Sequence, residues 1–515
     1  MRIDEAPLVF SRLPGAVPVA VANSDAAQWS AAAQAFARAG DRLVALWASD
    51  RRDLDEGFVV QAAYALADGL ACVRLPLGAI KTSYPDLSAH FPAASRMQRA
   101  AFDLLGVRAD SAADKRPWLR HGGWPADYFP LRRESDGASA FEVEQERYPF
   151  VTVSGDGVHE IPVGPIHAGI IEPGHFRFSV VGEKVLRLEE RLGYVHKGIE
   201  KRFEGMQLEA GHRLAGRVSG DSTVAYAWAY ALAAESASGT AIPPRASWLR
   251  ALLLERERVA NHLGDLGALG NDAALTFGLA QFSRLRELWL RANARVFDHR
   301  LMMDCIVPGG LTIDPDRAAL DDLRAQTLEF ETEVRRLRTI YDEHAGLQDR
   351  FQTTGIVAPE LAAQLGLTGL AGRASGIAHD LRVDLPCTPY DTLQVAMATD
   401  TRGDVAARVG VRFDEIAESL RLIRTIVERM PTGPCRVELG GIDTERFGIG
   451  WVEGWRGDVL VALETDRAAT IRRCHCHDPS WQNWPLLEHA VIGNIVPDFP
   501  LINKSFNLSY SGQDL

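Results

Sequence analysis

The chain has 515 residues, 46% hydrophobic and 24% charged, with a formal net charge of -12. This length implies two or three domains with sizeable cores. The composition excludes a disordered chain, and the acidic balance excludes a protein that binds nucleic acid by neutralising phosphates. The opening residues MRIDEAPLVFSRLPG lack a basic start followed by an apolar core, so no signal peptide is expected. No run approaches the roughly 20 apolar residues that cross a bilayer, so work at a membrane would need other subunits. The six cysteines, Cys72, Cys305, Cys387, Cys435, Cys474 and Cys476, are too sparse for a disulfide scaffold and fit a reducing compartment. None of them forms a Cys-x-x-Cys pair.

Residues 1–128 alternate strand-like runs, 42–48 and 70–77, with helical stretches such as DAAQWSAAAQAFARAG, which predicts a small α/β domain. Residues 129–160 are rich in Gly, Pro and charge without periodicity, and read as a linker. Residues 161–515 form a second, larger domain. It opens with two strands joined at Gly182 and Glu183, and amphipathic helical patterns then cover roughly 194–206, 222–238, 246–268, 274–304, 314–343 and 402–430. A second strand pair lies in DVLVALETDRAATIRRCHCH. The class is α+β: a small N-terminal α/β domain and a large, mainly helical domain with small sheets.

Four stretches could carry chemistry. In RVSGDSTVAYAWAYALAAE, Ser219 and Ser222 have the separation at which metalloenzymes place two cysteines, and Asp221 or Ser222 could cap the following helix. GPIHAGIIEPGHFRF puts His167, Glu172 and His175 within nine positions, either for proton transfer or as satisfied polar groups of a surface loop. In ERVANHLGDLG the residues Arg258, Asn261, His262 and Asp265 share one helical face, either solvated or part of a buried hydrogen-bond network. In CHCH, residues 474–477, a strand sends the cysteines to one face and the histidines to the other, which argues against one tetrahedral zinc. No phosphate loop, Gly-x-Ser-x-Gly or His-Glu-x-x-His occurs.

These stretches, with GYVHKGIEK, VPGG, RASGIAHDLR, RGDVAAR, VEGWRGD and NIVPDFPLINKS, occur in an order that resembles the large subunit of membrane-bound nickel-iron hydrogenases of the formate hydrogenlyase type. The quinone-site large subunit of respiratory complex I shares several of them. HFPAASRMQRAAFDLLGV resembles the signature of the 30-kDa-type subunit of complex I, carried in that hydrogenase type as a fused first domain, although Arg96, Met97, Gln98 and Ala100 depart from it.

In such hydrogenases two Cys-x-x-Cys pairs hold nickel and iron, and the resemblance puts those cysteines at Ser219, Ser222, Ser509 and Gly512. Low-spin iron and nickel need soft thiolates, so no cofactor is expected on this chain, and iron-sulfur clusters are expected in partners. The tyrosine and histidine that hold quinone in complex I fall at Gly220 and Pro173, which offer no side-chain donor, while the cavity itself is expected to survive. Glu172 matches the proton-passing glutamate, expected to be partly buried, with a pKa set by desolvation against nearby arginines. His167, His175, Arg217, Arg258, His262, Asp380 and Arg382 match polar positions around that cavity. The resemblance implies a peripheral subunit on the cytoplasmic side of an ion-translocating complex. Its implied neighbours are an iron-sulfur small subunit, a ferredoxin-like subunit and antiporter-like membrane subunits. A quinone-reducing subunit and a structural scaffold are the alternatives.

Overall fold

The N-terminal sheet grows from the runs read in the sequence. In the computed structural model, which describes residues 1–78, 80–144 and 147–515, the first elements are β1 (Ser11–Arg12), β2 (Val19–Asn23), α1 (Ala26–Ala39), β3 (Arg42–Arg51), β4 (Gly57–Leu66), β5 (Gly69–Pro76) and α2 (Ala94–Leu105). The strand order is β1-β2-β5-β4-β3, with β2 and β5 parallel and the other neighbours antiparallel. A capping box starts α1: the Gln28 amide donates to Asp25 Oδ1 (2.8 Å) and the Asp25 amide returns a bond to Gln28 Oε1 (3.0 Å).

Within the expected linker, positions 145 and 146 lie outside the described residues. Its other residues carry no helix or strand until β6 (Val158–Val163) begins inside its last turn. The stretch is nevertheless tied down, because Leu131 is buried and the Arg133 amide donates to Asp50 (3.0 Å). Then come β7 (His175–Val181) and β8 (Lys184–Arg191), an antiparallel hairpin turning at Gly182 and Glu183 as expected, in a sheet of order β8-β7-β6.

Among the elements that follow are α3 (Ile199–Phe203), α4 (Thr223–Ser238), α5 (Pro244–Asp272), α6 (Thr276–Phe297), α7 (Arg317–Glu343), α8 (Val405–Arg429), β9 (Arg446–Glu453), β10 (Asp458–Thr465), β11 (Ile471–His477), α9 (Ser480–Ala490), α10 (Phe499–Phe506) and α11 (Tyr510–Asp514). Strands β9, β10 and β11 form an antiparallel meander. Helix α4 is buried on every side from Thr223 to Ala237, which is why its sequence is apolar all round. It lies directly on β9, where glycines make room. A Cβ at Gly450 would stand 1.9 Å from the Ala229 carbonyl oxygen, and one at Gly448 would stand 2.1 Å from that of Ala233.

The N-terminal sheet packs on the meander. Glu464 accepts from Arg51 (2.6 Å), Ser49 (2.6 Å) and Gln61 (3.0 Å), and Trp47 stacks on His475 at 5.0 Å. CHCH follows the strand alternation: Cys474 and Cys476 are buried on one face, while His475 bonds Glu200 (2.7 Å) and His477 bonds Gln482 (3.0 Å). The departures at Arg96 and Gln98 also find partners. Arg96 donates to Glu190 (3.1 Å) and Glu488 (2.8 Å), and Gln98 donates to Asp86 (2.7 Å).

Candidate functional site

The loop before α4 carries Ser219 in an extended conformation and one 3-10 turn, Gly220–Ser222. Ser222 occupies the N-cap position, but no side-chain cap bond forms there, which corrects the capping expectation. The first helical amides, of Val224 and Ala225, donate instead to the Glu257 carboxyl of α5 at 2.6 and 3.2 Å. Burial pushes Glu257 up to about 8, against the lowering from these amides.

The C-terminal segment meets this loop. Helix α10 ends at Asn507, whose left-handed backbone (φ 48) turns the chain. Ser509 then caps α11, its Oγ accepting from the Gly512 amide at 2.9 Å. Ser219 and Ser509 hydroxyls lie 3.0 Å apart, and Ser219 donates to Asp221 Oδ1 at 2.8 Å. Because Ser219 has one hydroxyl proton and gives it to Asp221, Ser509 is the donor in the serine pair. A single directed chain results: Gly512 amide to Ser509, Ser509 to Ser219, Ser219 to Asp221. Gly512 itself lies against Asp478, where an added Cβ would be 2.4 Å from Oδ2. Asp478 is held by the Tyr226 hydroxyl (2.8 Å) and the Ser480 amide (2.9 Å).

Arg456, in the turn between β9 and β10, closes the group. Its guanidinium donates to Asp221 Oδ1 (2.9 Å) and Oδ2 (2.5 Å), to Ser222 Oγ (3.2 Å) and to the Asn507 carbonyl (2.5 Å), and lies 3.9 Å above the Trp455 ring. Burial alone would raise the Asp221 carboxyl, but the charge of Arg456 and the bonds from Arg456 and Ser219 hold it down at about 2. Trp455 and Asn261 both donate to the Asp221 carbonyl, at 2.9 and 2.7 Å. The four positions that the resemblance assigns to cysteines are therefore neighbours, and the Arg456–Asp221 ion pair bonds two of them, Ser219 through Asp221 and Ser222 through Arg456. Sequence reasoning gave no role to Arg456, Asp478 or Glu257. Arg456 was visible inside VEGWRGD, but no spacing rule joins it to Asp221.

Arg258, His262, Asp380 and Arg382 belong to a different, fully buried layer. Arg258 donates to the carbonyls of Gly454 (3.0 Å) and Glu453 (2.8 Å) beneath the Arg456 turn. His262 bonds Glu415 (2.8 Å), Arg382 holds Asp380 (2.7 Å) and Glu255 (3.1 Å), and Arg373 joins Glu415 (2.7 Å) to Glu453 (2.8 Å). The polar stripe of α5 is thus a buried network, not a solvated face. Burial lowers the His262 pKa despite its bond to Glu415, and burial together with Asp380 and Asp458 outweighs Arg373 and raises Glu453. In this layer the cations Arg258, Arg373 and Arg382 lie among the carboxylates Glu255, Asp380, Glu415 and Glu453.

The remaining expected residues separate. Glu172 is exposed in this chain, which corrects the expectation of partial burial, yet its Oε2 accepts from the Ser511 amide at 2.9 Å. His167 Nε2 lies 3.3 Å from the Tyr510 hydroxyl. These two residues therefore reach the segment of Ser509 and Gly512. His175 does not join them. It bonds the Gly164 carbonyl at 3.3 Å and Arg177 at 3.4 Å, and lines a separate cavity of about 630 Å³ with Tyr148, Arg177 and Arg191. Arg217 also lies elsewhere, its exposed guanidinium pairing with Asp304 at 2.6 and 2.7 Å. Gly220 is exposed, and nothing lies within 4 Å of where its Cβ would be. Among the described residues no group of three or more His, Cys, Asp or Glu is placed to hold a metal ion, and no helix is long and apolar enough to cross a membrane.

Residues 22–140 match the model of the respiratory-chain NADH dehydrogenase 30 Kd subunit, and residues 269–445 that of the 49 Kd subunit. Formate hydrogenlyase subunit 5 of Escherichia coli (strain K12) is 31% identical over 487 residues, covering 93% of this chain and 86% of that protein. Hydrogenase-4 component G of the same organism is 32% identical, with 92% and 83% covered. NADH-quinone oxidoreductase subunit 4 of Thermus thermophilus is 32% identical, with 68% and 92% covered. A chain in the structure of the membrane-bound sulfane sulfur reductase, an archaeal respiratory membrane complex, shares the fold: TM-score 0.66 at 24% identity, over 70% of this chain and 99% of that one.

Proposed function

The chain belongs to the family of fused 30-kDa-type and 49-kDa-type subunits found in membrane-bound hydrogenases and complex I, and from that premise we propose that it is the large hydrophilic subunit of a respiratory membrane complex that works without a nickel-iron centre on this chain. The observation that carries the reading is the donor set. Three hydroxyls, Ser219, Ser222 and Ser509, and a glycine, Gly512, stand together with the Arg456–Asp221 pair among them. Neutral serine hydroxyls are hard, weakly acidic donors and do not suit nickel with low-spin iron. A cysteine at Gly512 would also have to displace Asp478. The residues do not fit the metals.

What this chain supplies in the proposal is docking surface and charge. An iron-sulfur small subunit, a ferredoxin-like subunit and antiporter-like membrane subunits are the proposed neighbours, with this chain held peripherally on the cytoplasmic side of the inner membrane. Glu172 and His167, which touch the segment of Ser511 and Tyr510, are the proposed proton-handling groups. The buried Arg258–His262–Glu415 layer under the Arg456 turn would tie their protonation to the loops around it. Two assays test this. The chain, tagged in its host, should co-purify with membrane subunits, and that complex should neither take up nor evolve hydrogen with redox dyes. Hydrogen turnover that tracks the purified complex would refute the reading. Glu172→Gln, which keeps an acceptor for the Ser511 amide, should lower ion transport by the complex, and unchanged transport would remove the proton role.

A further inference from the structure

We propose that the Arg456–Asp221 ion pair is a built-in clamp that joins the loop before α4 to the C-terminal segment 507–512 in place of a metal, adding charge and hydrogen bonds to the apolar packing of Leu508 and Tyr510. The inference rests on the metal-free reading above and deepens it. A centre bound by two ligands from each end of a chain is a cross-link, and removing it leaves two loops whose neutral hydroxyls make weak bonds. Here one planar cation spans the gap. Arg456 grips Asp221 through both carboxylate oxygens, touches Ser222, and donates from Nε to the Asn507 carbonyl at 2.5 Å on the C-terminal side. Lysine could not reproduce four bonds in one plane.

Both partners are fixed from behind. The Arg456 guanidinium lies on the Trp455 ring at 3.9 Å. Asp221 is held through its carbonyl by Trp455 and Asn261 and through its carboxylate by Ser219. The Ser219–Ser509 bond of 3.0 Å and the Ser509–Gly512 bond of 2.9 Å then carry the anchoring into α11. The geometry is that of a preformed clamp, with the anion on one segment, the hydroxyl chain leading to the other, and the cation on a third that the sheet holds in place.

The test is amide hydrogen exchange at Gly512 and Gln513 in the purified complex. Loss of one charged partner should speed exchange there about tenfold or more. Arg456→Lys and Asp221→Ala should both do so, while Asp221→Asn, which keeps the shape, should fall between them and the parent. In Asp221→Ala, sodium formate fits the space of the missing carboxylate and should restore protection, whereas sodium chloride at equal ionic strength should not. Formate should leave Arg456→Lys unchanged. If Asp221→Ala fails to assemble even with formate, Asp221→Asn decides. Parent-like exchange in that variant and in Arg456→Lys overturns the clamp, as does equal rescue by chloride. Metal found in the parent complex would instead sink the metal-free reading, so the two failures are distinguishable.

Discussion

Placing a cysteine at position 512 should weaken the fold rather than create a metal site. In Gly512→Cys the new Cβ would lie 2.4 Å from Asp478 Oδ2, 2.6 Å from its Cγ and 2.9 Å from Ser509 Oγ. Space can be opened only by turning Asp478 away from the Tyr226 hydroxyl and the Ser480 amide, which hold it at 2.8 and 2.9 Å. Two buried hydrogen bonds at about 1 kcal/mol or more each, with about 1–3 kcal/mol for overpacking, give an expected loss of roughly 3–5 kcal/mol. Urea unfolding followed by tryptophan fluorescence measures it, with Gly410→Ala as the control. Gly410 lies inside α8 with nothing within 4 Å of its would-be Cβ, and the change to alanine should stabilise by up to about 1 kcal/mol. If Gly512→Cys unfolds at the parent's urea concentration, Asp478 does not fill that position and the packing argument fails.

Gly450→Ala, with its Cβ 1.9 Å from a backbone carbonyl of α4, should cost more than about 3 kcal/mol or abolish soluble expression, because neither backbone can yield cheaply. Wild-type stability in that variant would show that α4 does not ride on β9. Burial, aided by His475, pushes the His477 pKa down to about 3, so the folded state binds fewer protons than the unfolded state between about 3 and 6.5. Stability should therefore fall by up to a few kcal/mol as pH drops through that window, and His477→Phe should flatten the slope. An unaltered slope would mean that the imidazole titrates freely. Arg217→Ala should change stability by less than about 1 kcal/mol, since its pair with Asp304 is exposed, whereas Arg258→Met, which removes a cation from the buried layer, should cost about 3–5 kcal/mol. Equal effects in parallel denaturation curves would contradict the separation of the two residues.

Where periodicity and burial coincide, the sequence was a good guide. The expected helix over 222–238 is Thr223–Ser238, and the hairpin turning at Gly182 and Glu183 forms as read. The pattern over 194–206 shrinks to Ile199–Phe203 because Gly198 enters it in the left-handed region (φ 67) and fixes where the helix can start. The linker reading, which ends at residue 160, takes in only the first half of strand β6, because half the strand's residues face solvent and it pairs only at an edge. At the site, motif order located Ser219, Ser222, Ser509 and Gly512, and folding brings them together across nearly 300 residues. Motif order could not distinguish Arg258, committed to a buried ionic layer, from Arg217, committed to a surface pair, since both are arginines inside matching motifs. Arg456 and Asp221 are 235 positions apart, a pairing that local periodicity does not encode.

On the proposed reading this polypeptide holds no bimetallic centre among Ser219, Ser222, Ser509 and Gly512. The most direct test is anomalous X-ray scattering at the nickel and iron edges from crystals of the complex isolated from nickel-supplied cells. No anomalous peak is expected among those four residues, with density there for the Arg456 guanidinium on Asp221. A nickel peak bridging Ser219 and Ser509, with Arg456 swung away, would contradict that reading.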